Sequence, residues 1–237
     1  MRVDDSSFDP AQPGVGDSHW TELLDGREAW EPRPGALVVV SPHPDDESLG
    51  AGGLIRQWAL AGHEVTVLSV TDGERAYPEW TGLDVVRRRE LIDGLRVLAP
   101  VHVSIRRVGI PDGDVASHLN RLRHALQTVL DETTTLVAPY EFDGHPDHEA
   151  TGRVCLEMAR AAQVPLARYP IWAWHLRTAR MLADLPWGKY PLNADTQRAK
   201  ARAIDCFASQ IRPPSGDPIL PAHVLQYFSR PYEAFIV

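Results

Sequence analysis

Residues 36–47 read Ala36-Leu37-Val38-Val39-Val40-Ser41-Pro42-His43-Pro44-Asp45-Asp46-Glu47. A short unbroken apolar run is what a strand buried on both faces looks like. The His, Pro and acidic residues that follow place a polar turn at its carboxyl end. A helix is expected next, from about Leu49 to Gly62, where the glycine suits a C-cap. Residues 63–70, His63-Glu64-Val65-Thr66-Val67-Leu68-Ser69-Val70, read as a second strand.

The alternation continues. Val85, Ile92, Leu95 and Leu98 recur at helical spacing, and Val101, Val103 and Ile105 alternate as a third strand. Val115, Leu119, Leu122, Leu126 and Val129 mark an amphipathic helix, and residues 134–139 a fourth strand ended by Pro139. A helix over 147–162, a fifth strand over 166–174, a helix over 196–211 and a terminal strand over 232–237 complete the reading. Such βα alternation predicts a parallel sheet covered by helices with right-handed crossovers. The fold class is α/β: a single-domain, Rossmann-like, three-layer sandwich with a mostly parallel sheet in the order 3-2-1-4-5. Residues 1–35 lack a strand pattern and read as an arm that lays its tryptophans on a domain spanning 36–237.

Composition narrows the function. Hydrophobic residues make up 43% and charged residues 24% of the 237, which excludes disordered, collagenous and coiled-coil chains. No apolar run reaches the roughly 18 residues needed to span a bilayer, and no secretory signal is visible. The net charge of −8 makes the chain a poor binder of phosphate backbones, so no nucleic acid partner is expected. Two cysteines, Cys155 and Cys206, cannot make a disulfide framework or a thiolate zinc site. Both fall in expected helices and read as buried thiols in a cytoplasmic protein.

The chemistry gathers at two strand ends. His43-Pro44-Asp45-Asp46-Glu47 follows the first strand, and Asp143-Gly144-His145-Pro146-Asp147-His148 follows the fourth. In an open α/β sheet, ligands bind beyond the carboxyl ends of strands where the strand order reverses. The order 3-2-1-4-5 makes strands one and four neighbours there. Catalytic zinc takes three His, Asp or Glu ligands and keeps one position open. His43 and Asp46 can supply two and His148 the third, with either Asp45 or Asp46 able to serve on spacing alone. Remaining carboxylates and His145 then suit proton transfer and oxyanion stabilisation.

The pair HPDDE at 43–47 and HPDH at 145–148 resembles the LmbE-like/PIG-L deacetylases over roughly residues 36–175. The resemblance implies a zinc-dependent hydrolase, with other divalent metals such as Fe2+ possible in its place. It would deacylate, most simply deacetylate, an N-acyl amino-sugar conjugate by metal-activated water attack on the amide carbonyl. It implies His43, Asp46 and His148 as ligands, Asp45 as general base and His145 as protonated acid or oxyanion stabiliser, with Asp147 orienting His145. One position departs from the pattern: some members carry a tyrosine two residues before the first His of HPDH, where this chain has Asp143.

Loops after strands two and three are expected to open into the same crevice. Asp72, Glu74, Arg75, Asp112 and Asp143 are the candidates for sugar hydroxyls, and Trp172 and Trp174 for an aromatic wall. The run Arg87-Arg88-Arg89 reads as a solvated face with one arginine turned inward. Gly50-Ala51-Gly52-Gly53 lacks dinucleotide spacing and reads as close helix packing. Competing functions are an amidase of another small N-acyl or thiol-conjugate substrate, a metal-binding Rossmann-like protein without hydrolysis, and a non-haem iron oxygenase. The last would need oxygen; the second would bind metal stoichiometrically and release no amine.

Overall fold

A computed structural model describes residues 14–237. Its seven strands are β1 (Leu37–Ser41), β2 (Val65–Ser69), β3 (Val103–Arg107), β4 (Thr135–Pro139), β5 (Leu166–Tyr169), β6 (Trp187–Pro191) and β7 (Tyr232–Ile236). They form one sheet in the order β3-β2-β1-β4-β5-β7-β6. The first five are parallel, and β7 is antiparallel to both β5 and β6.

The helices are α1 (Asp17–Leu24), α2 (Asp46–Leu60), α3 (Leu83–Leu98), α4 (Leu119–Gln127), α5 (Pro146–Ala162), α6 (Ala173–Leu176), α7 (Ala179–Leu182), α8 (Ala194–Ile204), α9 (Ala208–Ile211) and α10 (Ala222–Leu225). Strand periodicity divides the core in two. Leu37 and Val39 point into a cluster with Leu54 and Ile55 of α2, Leu95 of α3 and Ala203 of α8. Val38 and Val40 point the other way, onto Leu122 and Leu126 of α4 and Val154 of α5. Apolar side chains on both faces of β1 account for its unbroken hydrophobic run.

Four expectations are corrected. The fifth strand ends at Tyr169, not Trp174. Pro170 has no N–H for a ladder, and the buried Asp143 carboxylate takes the N–H groups of Ile171, Trp172 and Ala173, turning the chain into α6. The third strand is shifted to 103–107, leaving Val101 53% exposed. The helix expected over 196–211 is broken into α8 and α9, and the Glu90 carboxylate receives Ser209 N at the start of the second piece. Cys206 lies just beyond α8 and is partly exposed, whereas Cys155 is buried in α5.

Strand β6, Trp-Gly-Lys-Tyr-Pro, was not legible in the sequence. It is an edge strand, where glycine, lysine and proline are tolerated. Of the arm expected over 1–35, residues 1–13 lie outside the described residues. Over the remainder, Trp20 and Leu24 of α1 are fully buried, and Trp20 Nε1 donates to Trp174 O at 2.7 Å. Trp30 packs on Phe235, 5.0 Å between ring centroids. Among the described residues, no helix is long and apolar enough to cross a membrane.

The glycine-rich start of α2 sets its depth under the site. A Cβ on Gly50 would lie 2.3 Å from the Tyr169 ring. That ring's hydroxyl donates to Val40 O at 2.6 Å, tying β5 to β1 where the two motifs meet.

Candidate metal centre

β1 and β4 are hydrogen-bonded neighbours, so the turns after them converge. The first turn is locked from within. Glu47, fully buried, accepts Ser41 Oγ at 2.8 Å, Ser48 Oγ at 2.7 Å and Asp45 N at 3.2 Å. Asp45 is held at φ 132°, a conformation costing an L-residue about 1–3 kcal/mol. α2 begins at once with Asp46. On the other side α5 starts with Pro146 at its first turn, preorganised for helix, and places Asp147 and His148 on its first turn.

Three atoms meet between these turns. His43 Nδ1 lies 3.3 Å from Asp46 Oδ2 and 3.2 Å from His148 Nε2, and His148 Nε2 lies 3.2 Å from Asp46 Oδ2. Four-coordinate zinc with bonds of roughly 2.0–2.1 Å has ligand–ligand edges of about 3.3 Å. The edges of the triangle therefore match those of a tetrahedral divalent cation. The far nitrogen of each histidine is also engaged. His148 Nδ1 meets Asp143 Oδ2 at 2.8 Å, and His43 Nε2 meets Asp112 Oδ1 at 3.2 Å and Asp147 Oδ2 at 3.3 Å. Carboxylates in those places fix the tautomer and raise ligand basicity.

Burial opposes charge on His148, but Asp46 and Asp143 overcome it and push the imidazole up to about 9. His43 is raised in the same way, against burial, by Asp112, Asp147 and Asp46, while the two imidazoles hold Asp46 well below the usual carboxylate range against burial of its own.

Asp45 and His145 flank the triangle. Asp45 Oδ2 accepts Arg87 Nη2 at 3.0 Å, and the same guanidinium donates to Pro44 O at 2.7 Å and Gly73 O at 3.0 Å. Arg87 is thus the inward arginine of the basic run, 3% exposed. Gly73 is required beside it, since a Cβ there would lie 2.0 Å from Arg87 Nη1. Burial pushes Asp45 up to about 8, with Arg87 opposing and the carboxylates of Asp46 and Glu47 adding to the rise. Burial and the charges of His148 and His43 push His145 down to about 3. His145 Nδ1 accepts Asp147 N at 3.2 Å, so Nε2 carries the hydrogen.

Several expected roles change. Asp147 meets His145 through its backbone N–H; its carboxylate, besides His43, accepts Gly113 N at 2.8 Å and Val115 N at 3.2 Å. Asp143 faces no substrate: it is fully buried, spent on His148 and three backbone N–H groups. Asp72 is occupied by Arg88 and Arg107. Glu74 accepts Asp112 N, and Arg75 offers its backbone N to Asp112 while its side chain points outward. Of the five expected substrate residues only Asp112 lines the cavity beside the triangle. Trp174 packs in the core against Trp20 and Trp187, and Trp172 lines the cavity. Sequence reasoning missed Ile171, Gln210, Ile219 and Leu220 on the cavity wall, because nothing in their spacing marks them.

Asp143→Asn tests the second layer. Four N–H donors converge on this carboxylate, and an amide would turn one of its two oxygens into a donor. The expected result is metal binding weakened about 10–100-fold, measured by competition with a chelator. Unchanged affinity would remove Asp143 from the support of His148.

Two strand-end histidines and a carboxylate converging on one position, with Asp45 and a third imidazole, His145, beside it, define the class: an α/β enzyme fold with a candidate metal centre. The sequence model of the GlcNAc-PI de-N-acetylase family, PIG-L, matches residues 38–159, and the chain belongs to that family. It is 30% identical over 193 residues to the 1D-myo-inositol 2-acetamido-2-deoxy-alpha-D-glucopyranoside deacetylase of Mycolicibacterium gilvum, a match covering 67% of this chain and 68% of that one. Among solved structures, the fold is shared with the N,N'-diacetylchitobiose deacetylase of Pyrococcus horikoshii, at TM-score 0.64 and 20% identity over 97% of this chain and 93% of that one. It is shared also with the zinc inhibited form of the teicoplanin deacetylase Orf2, at TM-score 0.61 and 21% identity over 77% and 87% of the two chains.

Proposed function

We propose that this chain is a divalent-metal-dependent N-deacylase of an amino-sugar conjugate, with zinc as the metal, acetate as the released acid and the cytoplasm as its compartment. The observation that carries the reading is the triangle of His43 Nδ1, Asp46 Oδ2 and His148 Nε2, with Asp45 and His145 on the same cavity. Family membership and the named activity of the Mycolicibacterium relative support the amide and the sugar. Zinc is supported by the two-imidazole, one-carboxylate donor set.

Bound at the triangle, the cation supplies Lewis-acid chemistry at neutral pH. The chain's own groups do the rest. Asp45, pinned by Arg87 and by Glu47 through its backbone N–H, takes the proton of the attacking water. His145 presents Nε2–H to the developing oxyanion. The proton that Asp45 takes from the water is the one the departing amine carries away, while His145 keeps its Nε2–H on the oxyanion. The cavity, of about 230 Å³, is walled by Leu49, Ile171, Trp172 and Leu220, which limits bulk water around these groups.

The test is amine and acetate release from methyl N-acetyl-glucosaminide and larger N-acetylglucosamine conjugates by zinc-loaded protein. Release that is lost on chelation and restored by metal is the expected result. A metal-loaded preparation that frees no carboxylate from any amide offered would overturn the reading.

A further inference from the structure

The cavity has two halves of different origin. His43, Asp45, Asp46, Arg87, Asp112 and His145 lie within the family-matched residues, whereas Ile171, Trp172, Gln210, Ile219 and Leu220 come from beyond residue 159. The second half is apolar except for Gln210, which is only 1% exposed.

Its amide is fixed by a relay. The Glu90 carboxylate accepts Ser209 Oγ at 2.6 Å and Ser209 N at 2.7 Å. The single hydroxyl hydrogen of Ser209 is thereby used, so its oxygen can only accept. The Gln210 atom 2.9 Å from it is therefore the NH2 nitrogen, which settles which way the amide lies. Among the described residues, Oε1 and the second amide hydrogen have no hydrogen-bond partner. One donor and one acceptor remain side by side in a wall otherwise made of hydrocarbon.

A polar edge in such a wall costs free energy unless a guest satisfies it. A hydroxyl both gives and takes a hydrogen bond, so it answers both atoms, and the C–H face of a sugar ring suits the Trp172 and Leu220 surfaces beside it. We infer that Gln210 is a specificity-determining residue that reads one ring hydroxyl of the amino sugar whose amide is cleaved. The inference rests on the deacylase reading above and adds to it the group that selects the sugar.

The experiment compares kcat/KM for methyl N-acetyl-glucosaminide and its 3-, 4- and 6-deoxy analogues in the wild type and in Gln210→Met, a change that keeps length and removes the amide. The wild type should lose about tenfold on one analogue, the worth of one well-placed hydrogen bond. Gln210→Met should lose about the same factor on the parent glycoside and nothing further on that analogue. Wild-type penalties persisting at every position in Gln210→Met would overturn the assignment. Calorimetric Kd values for the same glycosides on metal-loaded Asp45→Asn protein, which needs no turnover, keep the two readings apart. A Gln210-dependent pattern in Kd supports the assignment even where no acetate is released, an outcome that would instead sink the deacylase reading. A Gln210-independent pattern in Kd, with hydrolysis intact, sinks the assignment alone.

Discussion

His148→Ala should leave a folded protein that no longer holds its metal and has no measurable deacylase activity. Removing Nε2 takes away one of the three corners of the triangle, and the carboxylate behind the ring, Asp143, cannot replace it, because it is fully buried and tied to three backbone N–H groups. Metal content after exhaustive dialysis, read beside the wild type, checks this; full occupancy in the variant would take His148 out of the site. The proton bookkeeping gives a second readout. A ligand imidazole must shed its proton before it can bind a cation. Because Asp46 and Asp143, against burial, push His148 up to about 9, wild-type metal affinity should climb as pH rises towards that value. The proton release that accompanies metal uptake, measured by calorimetry in buffers of different ionisation enthalpy, should fall in His148→Ala.

The parts of this arrangement that the sequence revealed are those whose signals are local. Val38 and Val40 announce a strand with two covered faces, and the turn residues behind them announce a site because nothing structural needs two His-Pro-Asp tripeptides. Which of Asp45 and Asp46 faces the histidines was not readable from spacing. Backbone geometry decides that orientation: at φ 132° Asp45 carries its carboxylate towards Arg87, and Asp46 at the start of α2 faces the histidines. Asp143 illustrates the opposite failure. An acidic residue in a strand-end loop reads as a hydroxyl-binding group, yet here it satisfies the backbone that turns β5 into α6, a demand made by residues 171–173 and invisible at 143. The same turn is why the fifth strand was read five residues too long. Gln210 was out of reach for a related reason. It enters the cavity through a break between α8 and α9, whose second piece is capped by Glu90, 119 positions away in the chain. Long-range hydrogen bonds of this kind override a helical pattern without leaving a trace in it.

Asp45→Asn should keep the metal and lose about 10²–10⁴-fold in kcat, the usual contribution of a positioned general base. Asparagine preserves the shape and can still accept a hydrogen bond from Arg87 through its carbonyl oxygen. It also tolerates positive φ better than most residues, so the turn need not move. What it lacks is a lone pair basic enough to take a proton. KM should change little, since the side chain acts on the water and not on the sugar. The pH profile carries the same argument. The base is active only when ionised, and burial with the neighbouring Asp46 and Glu47 carboxylates pushes Asp45 up while Arg87 and His43 pull it down. The rising limb of kcat/KM owed to Asp45 should therefore lie above the ordinary carboxylate range. Arg87→Met, which deletes the largest opposing charge, should carry that limb to still higher pH and leave the metal in place. In Asp45→Asn the limb should vanish. Near wild-type turnover in a metal-loaded Asp45→Asn protein would mean that another group takes the proton, and an Arg87→Met limb unmoved or shifted to lower pH would mean that the limb belongs to something other than Asp45.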